Sequence, residues 1–176
     1  MRSVSMANYY LTFGYPLMVA ASTVVDGYIV ENGEAGIQTL PNDIAMVWAN
    51  LLSCGFSDNK AAIEKLAGRG LLYAGASKEE LLMQCRTLYS IRQGIGSTFM
   101  DKDKRGEDKL YYSVRLGKEN YTLSDFQRRF WVKSSGKKKI DQIIDDIGKE
   151  TTIPNSEEMA NQIFLLIKFG LLFFEK

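Results

Sequence analysis

The stretch Ala62-Ile63-Glu64-Lys65-Leu66-Ala67-Gly68-Arg69-Gly70-Leu71-Leu72 reads as a helix that ends, turns and becomes a strand. Ala62, Ile63 and Leu66 share one face at helical spacing, and Gly68 and Gly70 stop the helix, because glycine takes up the left-handed conformation that closes a helix C-terminus. Leu71-Leu72-Tyr73 is then short and apolar enough for a strand. Ser57 opens the helix on its N-terminal side.

Moving outward toward the N-terminus, Ile44, Val47, Trp48, Leu51 and Leu52 recur at i, i+3, i+4, i+7 and i+8, which predicts a helix after Pro41, capped by Asn42 or Asp43 and stopped by Gly55. Before it, Tyr9 to Phe13, Leu17 to Ala20 and Val24 to Val30 read as strands separated by Gly14, Pro16, Asp26 and Gly27, with a turn at Asn32 to Gly36. In the other direction, Ser77 and Glu80 form a capping-box pattern. The helix they begin carries Leu81, Leu82, Cys85, Leu88 and Tyr89, with Gly94 and Gly96 as its stops.

Asp101-Lys102-Asp103-Lys104-Arg105-Gly106-Glu107-Asp108-Lys109 has no apolar residue and reads as a charged linker or an exposed hairpin tip. Leu110 to Leu116 follows as a strand. Three helical stretches come next: one capped by Thr122 or Ser124 with Phe126, Phe130 and Trp131, one marked by Ile140, Ile143, Ile144 and Ile147, and one beginning at Ser156 with Met159, Ala160, Ile163, Phe164 and Ile167. The apolar run Ile163 to Phe174 is shorter than the roughly 20 residues of a membrane helix and is broken by Lys168.

The two halves look alike. Tyr9-Tyr10-Leu11-Thr12-Phe13-Gly14 is echoed by Tyr111-Tyr112-Ser113-Val114-Arg115-Leu116-Gly117, and Ser77-Lys78-Glu79-Glu80 by Ser156-Glu157-Glu158. Gly55 with Asn59, Ala62, Ile63 and Leu66 has the spacing of Gly136 with Ile140, Ile143, Ile144 and Ile147. This reading predicts an α+β protein, mainly helical, made of two similar three-helix units with short strands: residues 1–100, with an N-terminal strand extension, and 110–176, joined through 101–109. The step from Leu66 through Gly68 and Gly70 to Leu72 resembles the point in winged-helix domains where a recognition helix turns into the first wing strand. That resemblance implies a winged-helix-like tandem; Ile147 to Ile153 keeps the helix end but lacks the Gly-Leu-Leu step.

Composition narrows the chemistry. Among 176 residues there are 22 Lys and Arg, 21 Asp and Glu, two cysteines and no histidine. Without histidine there is no Ser-His-Asp triad, Cys-His dyad or imidazole metal site. Cys54 and Cys85 are too few for a four-ligand zinc site and read as buried free thiols, which fits a cytoplasmic setting. Ala20-Ala21-Ser22 has the small residues of a signal-peptidase site, but Thr12, Gly14, Tyr15 and Pro16 interrupt the apolar block before it and Arg2 is its sole positive charge. The pairs Glu79-Glu80, Asp145-Asp146 and Glu157-Glu158 diverge by about 100° on a helix and cannot converge on one substrate atom. Gly68-Arg69-Gly70 and Gly94-Ile95-Gly96 lack the rest of a phosphate-loop pattern. These features predict no catalysis, no cofactor and no metal.

One local charge asymmetry remains. Arg128, Arg129, Lys133, Lys137, Lys138 and Lys139 fall within twelve residues, interleaved with Phe130 and Trp131, and the triple lysine precedes a helix start where the macrodipole opposes it. The functional reading is a phosphate-contacting surface of a small DNA-binding, transcription-regulator-like protein with duplex DNA as partner. The competing reading is a solvated turn balanced by Asp141, Asp145 and Asp146 in a non-enzymatic protein-protein interaction or adaptor module, homodimeric in its simplest form, in which Tyr9-Tyr10, Tyr111-Tyr112 or Leu171-Leu172-Phe173-Phe174 would dock. Neither reading involves a membrane.

Overall fold

The computed structural model describes residues 9–19, 28–31, 36–52 and 54–176. The Ala20-Ala21-Ser22 motif and parts of the second and third N-terminal strands and of the turn after them lie outside the described residues. The chain begins with β1 (Tyr9–Thr12) and the meander β2 (Tyr15–Val19), β3 (Tyr28–Glu31) and β4 (Ile37–Leu40). Helices α1 (Asn42–Leu51) and α2 (Lys60–Gly68) then lead into β5 (Leu72–Gly75), which returns antiparallel to β1 with Leu11 opposite Tyr73. Helix α3 (Lys78–Cys85) connects to β6 (Tyr89–Arg92) and a second meander, β7 (Ile95–Lys102), β8 (Asp108–Leu116) and β9 (Glu119–Leu123). After it come α4 (Asp125–Lys133), β10 (Ser135–Lys139), α5 (Ile140–Glu150), α6 (Ser156–Lys168) and β11 (Leu172–Glu175).

The fold is therefore mixed α+β, with six helices and eleven strands among the described residues, and not the mainly helical pair of three-helix units that the sequence suggests. Part of the difference lies in β4 (Ile37–Leu40), β7 and β9, which are not read as strands, and part in two misread segments. The apolar spacing of Leu81 to Leu88 carries a helical reading through to Gly94, yet α3 ends at Cys85 and Tyr89 to Arg92 becomes a central strand between β10 and β11. The other is Ser135-Gly136-Lys137-Lys138-Lys139, read as a turn into a helix but held extended by pairing with Tyr89 and Ile91.

The structure also repeats itself, at an offset the sequence comparison did not use. Strand β1 with Gly14 corresponds to β6 with Gly94, so Tyr9 to Gly14 matches Tyr89 to Gly94 rather than Tyr111 to Gly117. Each strand is followed by a three-stranded meander and a helix bearing one tryptophan. The Trp48 indole donates to the Phe13 carbonyl at 3.0 Å, and the Trp131 indole donates to the Gln93 carbonyl at 2.9 Å. Phe13 and Gln93 each lie four residues after the first tyrosine, Tyr9 or Tyr89, of their copy, and their own amides donate to Leu71 and Leu171 at 3.2 and 2.9 Å.

The closing strand is reached in the same way twice. Gly70 and Gly170 adopt φ of +66° and +70° at the ends of α2 and α6. Behind each, the Leu71 and Leu171 amides donate back to the Leu66 and Leu166 carbonyls at 3.0 and 2.9 Å, so orphan helix carbonyls are satisfied while the chain reverses into β5 or β11. On the other side of the central strand, Tyr10 exchanges backbone hydrogen bonds with Gly55, as β6 pairs with β10. The second copy inserts α5, whose Ile140, Ile143, Ile144 and Ile147 are all buried.

Two apolar clusters follow from this arrangement. One lies within the first copy, from Val30, Leu40, Ile44, Trp48, Leu66 and Leu71. The larger fills the second copy and takes in Leu11 of β1, Phe13 just after it, and Leu81, Leu82 and Cys85 of α3, so the copies share it. The Gly14 amide adds a bond to the Phe174 carbonyl at 2.6 Å, placing the start of β2 against β11.

Replacing Trp48 or Trp131 by Phe keeps an aromatic ring in the core and removes the indole donor, leaving a strand carbonyl without its partner. Each substitution should lower unfolding free energy by about 1–3 kcal/mol. Urea unfolding measures this, and a loss confined to one of the two positions would contradict their structural equivalence.

Candidate functional site

The six cations expected to form a phosphate-binding surface lie on α4 and β10, around the N- and C-terminal ends of α5. Ser124 caps α4 in a reciprocal capping box with Gln127, which fixes the helix start and places Asp125 in its first turn. From there Asp125 accepts from Arg128 at 2.8 Å and Arg129 at 2.7 Å. Arg129 also reaches Glu150, at the end of α5, at 2.9 Å, and Lys133 reaches the other oxygen of Glu150 at 2.6 Å. Lys138 pairs with Asp146, which Lys149 also contacts at 3.2 Å. Lys139 sits over the Tyr89 ring, 5.7 Å from its centroid.

Four of the six cations thus face carboxylates, and the two pairing networks are separate. The first joins Asp125, Arg128, Arg129, Glu150 and Lys133; the second joins Lys138, Asp146 and Lys149. Their effect on the acids is consistent. Hydrogen bonds from Arg128 and Arg129 hold the Asp125 carboxyl below its usual range, Lys138 and Lys149 do the same for Asp146, and Lys133 followed by Arg129 does so for Glu150. Asp145 and Asp146 also line the shallow hollow between Lys137, Lys138 and Lys149, so an incoming phosphate would meet carboxylates there.

A different surface stands out on the second meander. Residues 101–109 form the end of the β7–β8 hairpin: Asp101 pairs with Lys109 and Lys102 with Asp108, and the Asp103 carboxylate accepts the amides of Arg105 and Glu107 across the turn. These amides hold the Asp103 carboxyl below its usual range. Strand β7 runs eight residues in unbroken register with β8 and pairs with no other strand among the described residues. It is an open edge.

Apolar side chains gather along that edge. Ile95 is 64% exposed, Met100 62%, Phe99 39%, and Leu110 on the neighbouring strand 62%. The alternation of a strand puts Gly96, Thr98 and Met100 on one face with Leu110, Tyr112 and Val114, and Phe99 on the other with Tyr111, whose ring it stacks on at 5.6 Å. At the base of the first face, Val114 is buried and Gly96 lies so close to Tyr112 and Trp131 that an added Cβ would collide. Farther out the face is unsupported, and a hollow of about 730 Å³ opens between the hairpin and the start of α4, lined by Thr98, Leu110, Tyr112, Leu123, Ser124 and Arg128.

None of these apolar edge residues is singled out by the sequence reading above. Their signal was available as an apolar run, a charged turn with Gly106 and a second apolar run, which is a hairpin pattern. Of the docking candidates that were named, Leu171 to Phe174 are buried, and Tyr9, Tyr10, Tyr111 and Tyr112 are half-buried. Cys85 is buried and its thiol is pushed up by burial; Cys54 is partly buried and its thiol is pushed up to about 11, again mainly by burial. Both are poor nucleophiles at neutral pH. Among the described residues no helix is long and apolar enough to cross a membrane.

Comparison with known proteins finds no family model that matches the chain, and no curated protein or solved structure that is similar to it.

Because the folded state lowers the pKa of Asp125, Asp146 and Glu150, their stabilisation is complete above the ordinary carboxylate value of about 4 and is lost as pH falls through the lowered values. With no histidine to titrate, the melting temperature should stay level from about pH 7.5 to 5.5 and drop below about pH 4. Thermal unfolding across that range checks this; a fall already complete at pH 5.5 would contradict it.

Proposed function

We propose that this chain is a non-enzymatic protein-interaction module that receives an extended segment of a partner along the open edge of β7. The observation that carries the reading is the unblunted edge itself. Exposed edge strands are usually protected by a proline, a bulge, a central lysine or a covering element. Strand β7 has no proline and no bulge, its charges lie at its end in Asp101 and Lys102, and its middle presents Phe99 and Met100. Main-chain bonds along such an edge give affinity, and alternate side chains dropping to either face give selectivity.

The first-copy counterpart of β7 is β2, whose start lies against β11 although the two do not pair as strands. Free thiols at Cys54 and Cys85 fit a cytoplasmic, reducing setting for the module.

DNA binding by Arg128, Arg129, Lys133, Lys137, Lys138 and Lys139 has weaker support. Lys137 is free of carboxylate partners among the described residues, but four of the other cations are engaged by Asp125, Asp146 and Glu150. Contacts to several phosphates would require those pairs to break, and would show as a steep loss of affinity with salt.

Two measurements test the proposal. Displayed libraries of extended peptides should yield binders to the whole chain whose affinity falls at least tenfold in Met100→Asp and Ile95→Lys, both substitutions of exposed side chains that leave the fold intact. Duplex DNA retention should be absent or flat across a salt series. Failure to recover any edge-dependent peptide, together with salt-steep DNA binding, would overturn the reading in favour of the regulator.

A further inference from the structure

We infer that the partner strand for β7 is β7 of a second copy of this chain, in an antiparallel pair whose two-fold axis passes through Phe99. The inference rests on the protein-interaction reading above and names its occupant. A two-fold axis perpendicular to the joined sheet keeps each side chain on its own face, so a symmetric antiparallel pair must set even-numbered residues opposite even and odd opposite odd. Of the registers that satisfy this condition, the one centred on Ser97 would set Ile95 against Phe99, whereas the one centred on Phe99 extends the Phe99–Tyr111 stack already present in each copy and sets Met100 beside the hollow; the second is the one inferred.

In that register Phe99 lies opposite its own copy. The stack that Phe99 already makes on Tyr111, at 5.6 Å, becomes a four-ring ladder of Tyr111, Phe99, Phe99 and Tyr111 across the two molecules. On the opposite face, Met100 of each copy falls beside Thr98 of the other, with Leu110 behind the methionine and Tyr112 behind the threonine. Thr98, Leu110 and Tyr112 line the 730 Å³ hollow, so Met100, the one methionine of β7, covers the least supported part of the partner's face. Asp101 lies opposite Ser97 and Lys102 opposite Gly96, which keeps like charges of the two copies apart.

The contact is one strand wide with few apolar side chains from each copy. It falls toward or below the lower limit of about 1,200 Å² for stable interfaces, so the dimer should dissociate in the micromolar range or above. A weak, reversible dimer is also what allows another extended segment to replace the second copy on the same edge.

Sedimentation of the full chain from micromolar to several hundred micromolar concentrations should show a monomer–dimer equilibrium. Phe99→Lys, which sets two lysines against each other on the axis, should weaken it at least tenfold while leaving the circular dichroism spectrum unchanged. The register has its own test. Under oxidised glutathione Phe99→Cys should form an intermolecular disulfide, whereas Ile95→Cys should not, because eight residues of strand, roughly 27 Å, separate the two copies of position 95. A wild-type chain that is monomeric throughout, a dimer indifferent to Phe99→Lys, or cross-linking at position 95 instead of 99 would each overturn the inference. If the chain is monomeric but still captures edge-dependent peptides, the second copy is wrong and the interaction reading stands; if it does neither, both fall.

Discussion

One backbone residue, met twice, holds each half of this protein together. Phe13 and Gln93 each give their amide to the returning strand, at Leu71 and Leu171, and their carbonyl to the indole of a helix, from Trp48 and Trp131. Strand, helix and closing strand are thereby tied at a single peptide position. The residues just before add a second tie of different chemistry. Thr12 donates its hydroxyl to the Trp48 carbonyl at 2.6 Å, whereas Arg92 donates to the Val132 carbonyl and lies over the Trp131 ring at 4.9 Å. Burying a main-chain carbonyl without a partner costs more than the bond itself contributes, so geometry at this position is strongly constrained in both copies.

What differs between the copies is what surrounds that tie. The first packs its own small core and leans β1 into the larger one; the second inserts α5 and adds its isoleucines to that larger core. The cations of α4 and β10 make sense in this setting. Arg129 and Lys133 bind α4, and Lys138 binds β10, to Glu150 and Asp146 in the C-terminal half of α5, so three of the charges that look surplus along the sequence join an inserted helix to its neighbours. The meanders differ as well: the start of the first lies against β11 through the Gly14 amide, whereas the edge strand β7 of the second carries exposed apolar side chains.

Much of the helical part was legible in the sequence. Periodicity placed α1, α2, α4, α5 and α6, and Ser77 and Ser124 do cap α3 and α4. Five strands, β4, β6, β7, β9 and β10, are not read from the sequence, three of them for plain physical reasons. Strand β10 holds no apolar side chain and exists because β6 pairs with it; β7 is exposed on both faces over most of its length and so shows no clean alternation; β6 continues the apolar spacing of the helix before it. The repeat was sought through the shared Tyr-Tyr of 9–10 and 111–112, whereas the structure aligns Tyr10 with Ser90 and Phe13 with Gln93. Their equivalence lies in main-chain bonds that constrain side-chain identity little. The candidate site was legible only as a charge cluster, because carboxylates 17 to 21 residues away from Arg129 and Lys133 cannot be assigned to them before the fold is known.

The central claim is that the two tryptophan indoles are equivalent locks, each buried against a strand carbonyl. Hydrogen exchange of the two indole N–H groups, followed by NMR in the native protein, addresses it most directly. Both protons should be protected to a similar degree, comparable with the Phe13 and Gln93 amides, because one opening event frees all of them within a copy. Rapid exchange of either indole while its strand amide stays protected would contradict the account.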